Sequence, residues 1–419
     1  MITNTLAAAI TFVFLVILLS YYVLLIIRKK VHKPEKIFSS LTVIIPALNE
    51  EKYIREAIES VLRAKFDGKK EIIVVNDGST DRTKEIASSY INKGIILINN
   101  KEHMGKSYSL NKALKVAKGE AVAVVDGDCY LHKDSLQKAI DELGRKNVVA
   151  ACGVVKVRNH NKFICLWLNI ELLYNSLIRN LFSKVNANVV TPGAYSIYRK
   201  KALLESGGFS TEGFSEDVTV AIRLIRNGGK ITFAEEAVSE ANMPYTIKGF
   251  FRQRIRLARG MINLLKRNLR LNNAMIDVYT LPLFLFTYMQ AIIMGALTLY
   301  NIFSGYIVYF ASRGVFMNLN VLKFFFEWFS IVGFVKWTVN VFSGLAPLNF
   351  LSILGIFSTF LSYPLFIYAI IKYEKKIGLR HLIPIFFMFP YWLVIMVIYI
   401  ICMPEIFRKK QYNIWDKSE

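Results

Sequence analysis

The chain has 419 residues, 54% of them hydrophobic, with a mean hydropathy of +0.36 and a formal charge of +22. That apolar content, concentrated at the two ends, excludes an ordinary soluble protein. The positive balance would suit nucleic acid, but long uncharged spans make anionic lipid headgroups and phosphorylated substrates the expected partners, with no nucleic acid among them.

From Thr5 to Ile27 there is no charge, and Leu, Ile, Val, Phe and Tyr dominate. Such a run crosses a hydrocarbon core of about 30 Å. No basic region precedes it and no small-residue cleavage site follows, so residues 1–30 read as a retained transmembrane helix and not a signal peptide. Arg28, Lys29, Lys30, Lys33 and Lys36 come next, which predicts an outer amino terminus and a cytosolic domain after it.

Residues 40–242 alternate strand and helix signals. Leu41–Pro46 reads as a strand, and a helix begins within Ala47–Glu51 and runs to about Ala64. Glu71–Val75 is a second strand that ends in the turn Asn76-Asp-Gly-Ser-Thr-Asp81. A helix over Arg82–Tyr90, a strand over Ile95–Ile98 and a helix over Lys106–Ala117 follow. Ala121–Val125, small and β-branched, is a buried strand that runs into Asp126-Gly-Asp128. The alternation predicts βαβ units and a mostly parallel sheet. Cys129, Cys152, Cys165 and Cys402 are scattered with no C-x-x-C spacing, so no zinc site or disulfide framework is expected, in keeping with a reducing cytosolic face.

Phe163–Lys184 and Tyr245–Arg270 mix large apolar residues with Arg, Lys and Asn at near-helical spacing. Each reads as an amphipathic helix at the membrane surface, the second within residues 243–272. The first also suits an ordinary domain helix. Residues 275–405 are mostly membrane, with spans near Val278–Asn301, Phe325–Phe342, Phe350–Ile371 and Leu382–Met403, five in all with the first. A basic cytosolic tail, 406–419, carries Arg408, Lys409, Lys410 and Lys417. The same count puts Lys372–Lys376 outside, against the positive-inside tendency.

Asp126 and Asp128 fall where a strand gives way to its loop, the place where open α/β sheets bind ligands. Two acids one residue apart repel unless a cation sits between them, and hard oxygen ligands beside a diphosphate select Mg²⁺ or Mn²⁺. An isolated Asp-x-Asp also suits a solvated turn. Here it stands in order with Pro46-Ala-Leu-Asn-Glu-Glu51, Asn76-Asp-Gly-Ser-Thr-Asp81, Ser215-Glu-Asp217 and Gln253-Arg-Ile-Arg-Leu257. This ordered set resembles the membrane-embedded family 2 glycosyltransferases that make cellulose, hyaluronan, chitin and poly-N-acetylglucosamine. The tail, with Pro390-Tyr-Trp392 and Phe407-Arg-Lys-Lys410, is most similar to the poly-β-1,6-N-acetylglucosamine synthases.

The resemblance implies an α/β GT-A-like nucleotide-sugar-binding domain with a mostly parallel sheet, plus an α-helical transmembrane region. It implies that Pro46, Glu50, Asp77, Lys106, Asp126 and Asp128 bind a UDP-sugar, with Asp77 at the uracil or ribose, Lys106 at the diphosphate and Asp128 on the metal. Asp77 also suits a helix N-cap, and Lys106 a solvated helix start. Asp217 would be the general base, its pKa raised beside Glu216, although Ser215-Glu-Asp217 also suits a helix cap. Gln253 and Arg256 share one face of their helix and would meet the diphosphate and the acceptor. Arg252, Arg254 and Arg259 would face lipid headgroups.

Leu257 departs from the family tryptophan that stacks on the acceptor sugar, and Tyr195 or Tyr198 would compensate in part. The implied activity is inverting, metal-dependent polymerisation of a UDP-sugar, UDP-N-acetylglucosamine foremost, with export of a β-linked polysaccharide. The implied partners are the nucleotide sugar, a growing polysaccharide or lipid acceptor and the bilayer, with room for an accessory membrane subunit. Two rival readings remain: a transferase adding one sugar to a lipid or polyprenyl phosphate, and a transporter or scaffold with a degenerate domain.

Overall fold

The computed structural model describes residues 2–28, 34–211, 215–270 and 275–408. Lys29, Lys30 and Lys33, and Lys409, Lys410 and Lys417 of the basic tail, lie outside the described residues. The first helix, α1 (Ile2–Ile26), is the expected apolar segment. The α/β domain then runs β1 (Ser40–Ala47), α2 (Ile54–Arg63), β2 (Lys69–Asn76), α3 (Thr83–Ser88), β3 (Ile95–Asn99), α4 (Lys106–Val116), β4 (Ala121–Val124) and β5 (Cys129–Leu131). It continues with α5 (Ser135–Leu143), β6 (Val148–Val157), α6 (Phe163–Ser183), β7 (Ser196–Arg199), α7 (Lys200–Glu205), α8 (Glu216–Arg226) and β8 (Lys230–Ala241).

The strands form one sheet in the order β3-β2-β1-β4-β7-β6-β8-β5. Pairs β3–β2, β2–β1 and β1–β4 are parallel, while β4–β7, β7–β6 and β8–β5 are antiparallel and β6–β8 is parallel again. The sheet is therefore mixed but mostly parallel, as expected: six of the eight strands run one way, and only β5 and β7 run against them. Its first half obeys the predicted βαβ pattern. Its second half turns on β7, a four-residue strand too short for a periodic signal. Pro46 is tolerated in the centrally placed β1 because β4 pairs only as far as Val124 opposite Ile44.

The helix expected from Ala47–Glu51 starts later, at Ile54, because Asn49 takes a left-handed turn at φ 53°. The freed loop is laced to the next one. Glu50 N donates to Thr83 Oγ1 at 2.7 Å, Glu51 N to Asp81 Oδ2 at 3.0 Å, and Thr80 N to Asn49 Oδ1 at 2.9 Å.

After the domain come α9 (Ile247–Asn268), α10 (Leu281–Tyr309), α11 (Leu319–Phe329), α12 (Ile331–Phe342), α13 (Phe350–Glu374), α14 (Leu379–Phe386) and α15 (Met388–Cys402). Among the described residues four helical segments are long and apolar enough to cross a membrane: Asn4–Ile26, Ile276–Arg313, Phe350–Glu374 and Met388–Ile406. The span expected over Phe325–Phe342 is instead two short helices, broken where Ser330 becomes extended (φ −123°, ψ 162°). Lys336 and Glu327 pair across that break at 2.9 Å. The span expected over Leu382–Met403 is divided in the same way at Phe387, between α14 and α15.

Lys372–Lys376, expected on the far side, meets the α/β domain. Lys372 pairs with Glu235 at 2.9 Å, and Lys156 Nζ donates to the Tyr373 carbonyl at 2.6 Å. Both amphipathic segments bind α/β and membrane parts together. Lys184, just past α6, donates to the carbonyls of Leu24 and Ile27 at 2.7 Å each, capping the end of α1. Tyr174 of α6 packs on Phe366 of α13, ring centroids 4.5 Å apart.

Arg254 does not face lipid: it is buried in a bidentate pair with Glu171 of α6, at 2.7 and 2.5 Å. The Tyr391 hydroxyl of α15 donates to the same carboxylate. Arg259 stays 40% exposed while pairing with Glu405 at 3.8 Å. Glu171→Gln would leave the buried guanidinium with no counter-charge. We expect it to lower stability by about 3–5 kcal/mol, read as a fall in the thermal unfolding midpoint of the detergent-solubilised chain.

Candidate active site

The carboxyl ends of β1 and β4 flank the point where strand order reverses, and the loops there build the floor of a cavity of about 700 Å³. Lys106, Asp126, Asp128, Glu216, Asp217, Gln253 and Arg256 all line it. Residues far apart in sequence thus meet in one place. Asp77, Pro46 and Glu50 do not line it.

Asp77 is 1% exposed. Its Oδ1 accepts from Asn100 Nδ2 at 2.6 Å and Met104 N at 3.1 Å, and its Oδ2 accepts from Gly105 N at 2.8 Å and pairs with His103 Nδ1 at 2.8 Å. Burial works against its charge, yet these hydrogen bonds prevail and hold the carboxyl below its ordinary range. Asp77 thereby braces the His103–Gly105 loop, whose Met104 and Gly105 do line the cavity. A nucleotide would have to compete with four internal donors for its oxygens. Pro46 and Glu50 act at the same remove: a Cβ on Gly127 would lie 3.2 Å from the Pro46 carbonyl and from Glu50 Cγ, so both pack under the Asp126-Gly-Asp128 turn.

The centre is Lys106, the first residue of α4. Its ammonium lies 2.6 Å from Asp126 Oδ1 and 3.3 Å from Glu216 Oε1, and its side chain is 9% exposed. Burial opposes this charge, but Asp126 and Glu216 outweigh it and raise the pKa well above the usual lysine value. The ion triad ties α4, the β4 loop and the start of α8 together. The Thr191–Ala194 loop closes over it: a Cβ on Gly193 would collide with Lys106 Nζ and sit 3.0 Å from Asp126 Oδ2. Only glycine admits that approach.

Asp126, Asp128 and Cys129 offer ligand atoms within 4.8 Å of one another. Burial, then Asp126, pushes the Asp128 carboxyl up to about 6. That destabilised carboxylate pair is a fit for a divalent cation. Burial and the neighbouring carboxylates push the Cys129 thiol up, and its Sγ lies 3.4 Å from Asp128 Oδ1 as a donor. A protonated thiol leaves the two carboxylates as ligands, an oxygen set that suits Mg²⁺ or Mn²⁺ better than zinc.

Asp217 stands in the first turn of α8, where the helix dipole favours negative charge. Burial, then Glu216, pushes its carboxyl up to about 7, against the pull of Lys106. Its Oδ1 accepts from Val218 N at 2.8 Å, and its carbonyl accepts from Thr191 Oγ1 at 2.8 Å, which docks the glycine loop onto α8. Ser215 makes no side-chain cap, so the Ser-Glu-Asp motif is not a conventional helix start. A carboxyl near neutrality in a walled cavity is equipped to take a proton.

The opposite wall comes from α9 and α15. Gln253 Nε2 reaches only Met243 Sδ at 3.7 Å, and its buried Oε1 has no partner. Among the described residues Arg256 makes no hydrogen bond or ion pair. Leu257 lines the cavity, 51% exposed. Tyr195 and Tyr198 do not compensate for the absent tryptophan. Tyr195 is fully buried with its hydroxyl on the Ser135 carbonyl at 2.8 Å, and Tyr198 lies in the core against Phe209. Trp392 and Tyr399 of α15 face the cavity instead, as does Arg179 of α6. Trp392 lies in the Pro390-Tyr-Trp392 stretch noted in the sequence, whereas no motif announces Tyr399 or Arg179.

A mixed sheet with a buried lysine–carboxylate cluster beyond the ends of its parallel strands is the arrangement of a GT-A-like domain. Residues 42–207, most of the α/β domain, match the model of glycosyl transferase family 2. The chain is 29% identical over 236 residues to the poly-β-1,6-N-acetyl-D-glucosamine synthase of Staphylococcus aureus strain COL, covering 54% of this chain and 56% of the relative. It thus spans little more than half the length of that relative. It is 24% identical over 391 residues to the synthase of the same name from Staphylococcus epidermidis, covering 90% and 87% of the two chains. Among solved structures, the mannosyltransferase PcManGT from Pyrobaculum calidifontis, in complex with GDP-Man and Mn2+, shares the fold with a TM-score of 0.62 at 18% identity, covering 98% of this chain and 100% of its own.

Gly193→Ala should spare the fold, because the obstructing atom is the end of a flexible lysine, and yet break the ion triad. We expect UDP affinity, titrated calorimetrically with Mn²⁺ present, to fall roughly tenfold or more, the value of one lost charged hydrogen bond.

Proposed function

We propose that the chain is an inverting, metal-dependent membrane glycosyltransferase that polymerises a sugar from a UDP-sugar into a β-linked polysaccharide and passes it out of the cell. UDP-N-acetylglucosamine is the donor that the names of the staphylococcal relatives favour. The observation that carries the reading is the meeting of Asp217 with Lys106, Asp126 and Asp128 in one cavity walled by α9 and α15.

In this reading Asp126 and Asp128 hold the divalent cation. When bound, it offsets the charge that develops on the leaving diphosphate. Lys106 keeps Asp126 and Glu216 fixed, so the acids do not drift apart as the donor enters. Arg256, unpartnered among the described residues, receives part of the phosphate charge, and Gln253 presents its free amide oxygen to a sugar hydroxyl. Asp217 takes the proton of the acceptor hydroxyl. That oxygen attacks the anomeric carbon from the face opposite UDP, the carbon–oxygen bond to UDP breaks, and the configuration inverts. The α/β domain faces the cytosol, with α1, α10 and α13 as crossings. Lys156, Lys184 and Lys372 cluster at the domain ends of α1 and α13, in line with the positive-inside tendency.

A second reading, transfer of one sugar to a lipid or polyprenyl phosphate acceptor, has one specific support. Leu257 offers no stacking face, and Tyr195 and Tyr198 are buried elsewhere. Product size separates the two: a ladder of oligomers, or one sugar on a lipid.

Asp217→Asn should reduce transfer by about 10²–10⁴-fold while UDP binding persists. Loss of UDP binding as well would remove the base assignment. A carboxyl held up to about 7 is neutral below that pH and ionised above it. Only the ionised form accepts a proton, so the transfer rate should climb as pH rises through about 7 and then level, and a flat profile would count against Asp217. Asp128→Ala should abolish the dependence of UDP affinity on Mn²⁺, and an unchanged dependence would refute its role as ligand.

A further inference from the structure

Arg179 is a charge that the reading above leaves unused. It lies on α6, lines the cavity and is only 8% exposed. Its Nη2 donates to Ser176 Oγ at 2.8 Å, its guanidinium stands over the Phe233 ring at 6.0 Å, and its buried Nε has no acceptor. Among the described residues no carboxylate pairs with it. The contrast is with Arg254, equally buried, which holds Glu171 bidentately. A guanidinium stays protonated in a protein, and burying one without a counter-charge carries a heavy desolvation penalty. Asp217 lies near enough to favour the Arg179 charge, but it makes no ion pair with it. An anionic ligand in the cavity would supply the counter-charge that the described residues do not.

Its location narrows the class. Asn180, the next residue, donates to the Tyr373 hydroxyl at 3.3 Å, at the end of α13. Phe182 packs on Tyr21 of α1 with ring centroids 5.9 Å apart, and Lys184 caps the end of α1. Arg179 therefore sits at the level where two apolar helices meet the α/β domain, on the membrane side of the cavity. Asn175, one turn earlier on the same face of α6, also lines the cavity and supplies an amide donor. A planar fork beside a neutral donor suits the several oxygens of a phosphoryl group. Leu257, Phe284 and Trp392 add apolar wall to the same cavity.

We propose that Arg179 forms an anion subsite, distinct from the donor diphosphate site, that takes a phosphoryl group entering from the membrane side with the acceptor. The inference rests on the transferase reading, since it assigns the subsite to the acceptor half of that cavity. Two sources carry this chemistry: an amphiphilic phosphate lipid and free phosphate.

The test is equilibrium binding by the full chain in phosphatidylcholine nanodiscs, titrated with farnesyl phosphate, with inorganic phosphate, and with UDP plus Mn²⁺. Arg179→Gln should weaken farnesyl phosphate by roughly ten- to hundredfold, with Arg179→Lys recovering part of it and UDP affinity unchanged in both. Unchanged UDP affinity also reports an intact fold. Selective loss of farnesyl phosphate assigns the lipid source, while equal loss of inorganic phosphate keeps the subsite and assigns free phosphate. Loss of UDP affinity instead would move Arg179 to the donor and overturn the proposal. So would unchanged binding of every probe, or no phosphate binding by the unaltered chain. Absence of UDP binding in the unaltered chain would remove the donor reading alone.

Discussion

A single ammonium holds the catalytic half of this molecule together. Lys106 is nearly buried between Asp126 and Glu216, which come from the β4 loop and the start of α8. A buried charge persists only where partners compensate its lost hydration, and a pair of acids packed side by side needs a cation for the same reason. The constraint is therefore mutual. Lys106 makes the acids tolerable, and the acids make Lys106 tolerable. Gly193 then seals the triad by approaching closer than any side chain would permit, and Thr191 fastens the same loop to the Asp217 carbonyl. Asp77, off the cavity, does for the His103–Gly105 loop what the triad does for its neighbours.

A second buried charge joins the domain to its membrane part. Glu171 on α6 receives Arg254 of α9 and Tyr391 of α15, so three helices from three regions of the chain converge on one carboxylate. Lys184 adds a fourth helix by closing the end of α1. These contacts set α9 and α15 against the cavity. Gln253, Arg256 and Trp392 face Asp217 because that convergence puts their helices there. Polar ties of this kind are specific where apolar packing alone would let the helices slide, since each donor fits only one acceptor geometry.

The parts legible in the sequence were those whose signal is local. Asp126 and Asp128 stand out because an apolar strand leads straight into them, whereas Lys106 and Asp217, at helix starts that suit many solvated residues, stood out only through the motifs they share with the family. Pairings over long separations left no local trace. Arg254 lies on a basic amphipathic helix, and nothing nearby says that its partner is 83 residues earlier. Hydropathy averaged over Phe325–Phe342 likewise conceals the extended Ser330, because a serine changes the mean little and the backbone completely. The mixed half of the sheet was hidden by the brevity of β7. Asp77 was read by its position after a strand. Its saturation by four internal donors depends on a loop that begins 26 residues later.

The distribution of paired and unpaired charge around the cavity gives the site a polarity. On the sheet side the acids are matched by Lys106 or poised for a cation. On the helix side Arg179 and Arg256 carry charge that no carboxylate among the described residues satisfies, and Gln253 keeps an orphan oxygen. Folding alone does not favour such an imbalance, because each unmet group costs stability. It becomes stable when the missing partners are brought in together: a cation to the acids, phosphoryl oxygens to the arginines, a hydroxyl to Gln253. The imbalance thus prescribes the ligand's own pattern of charge.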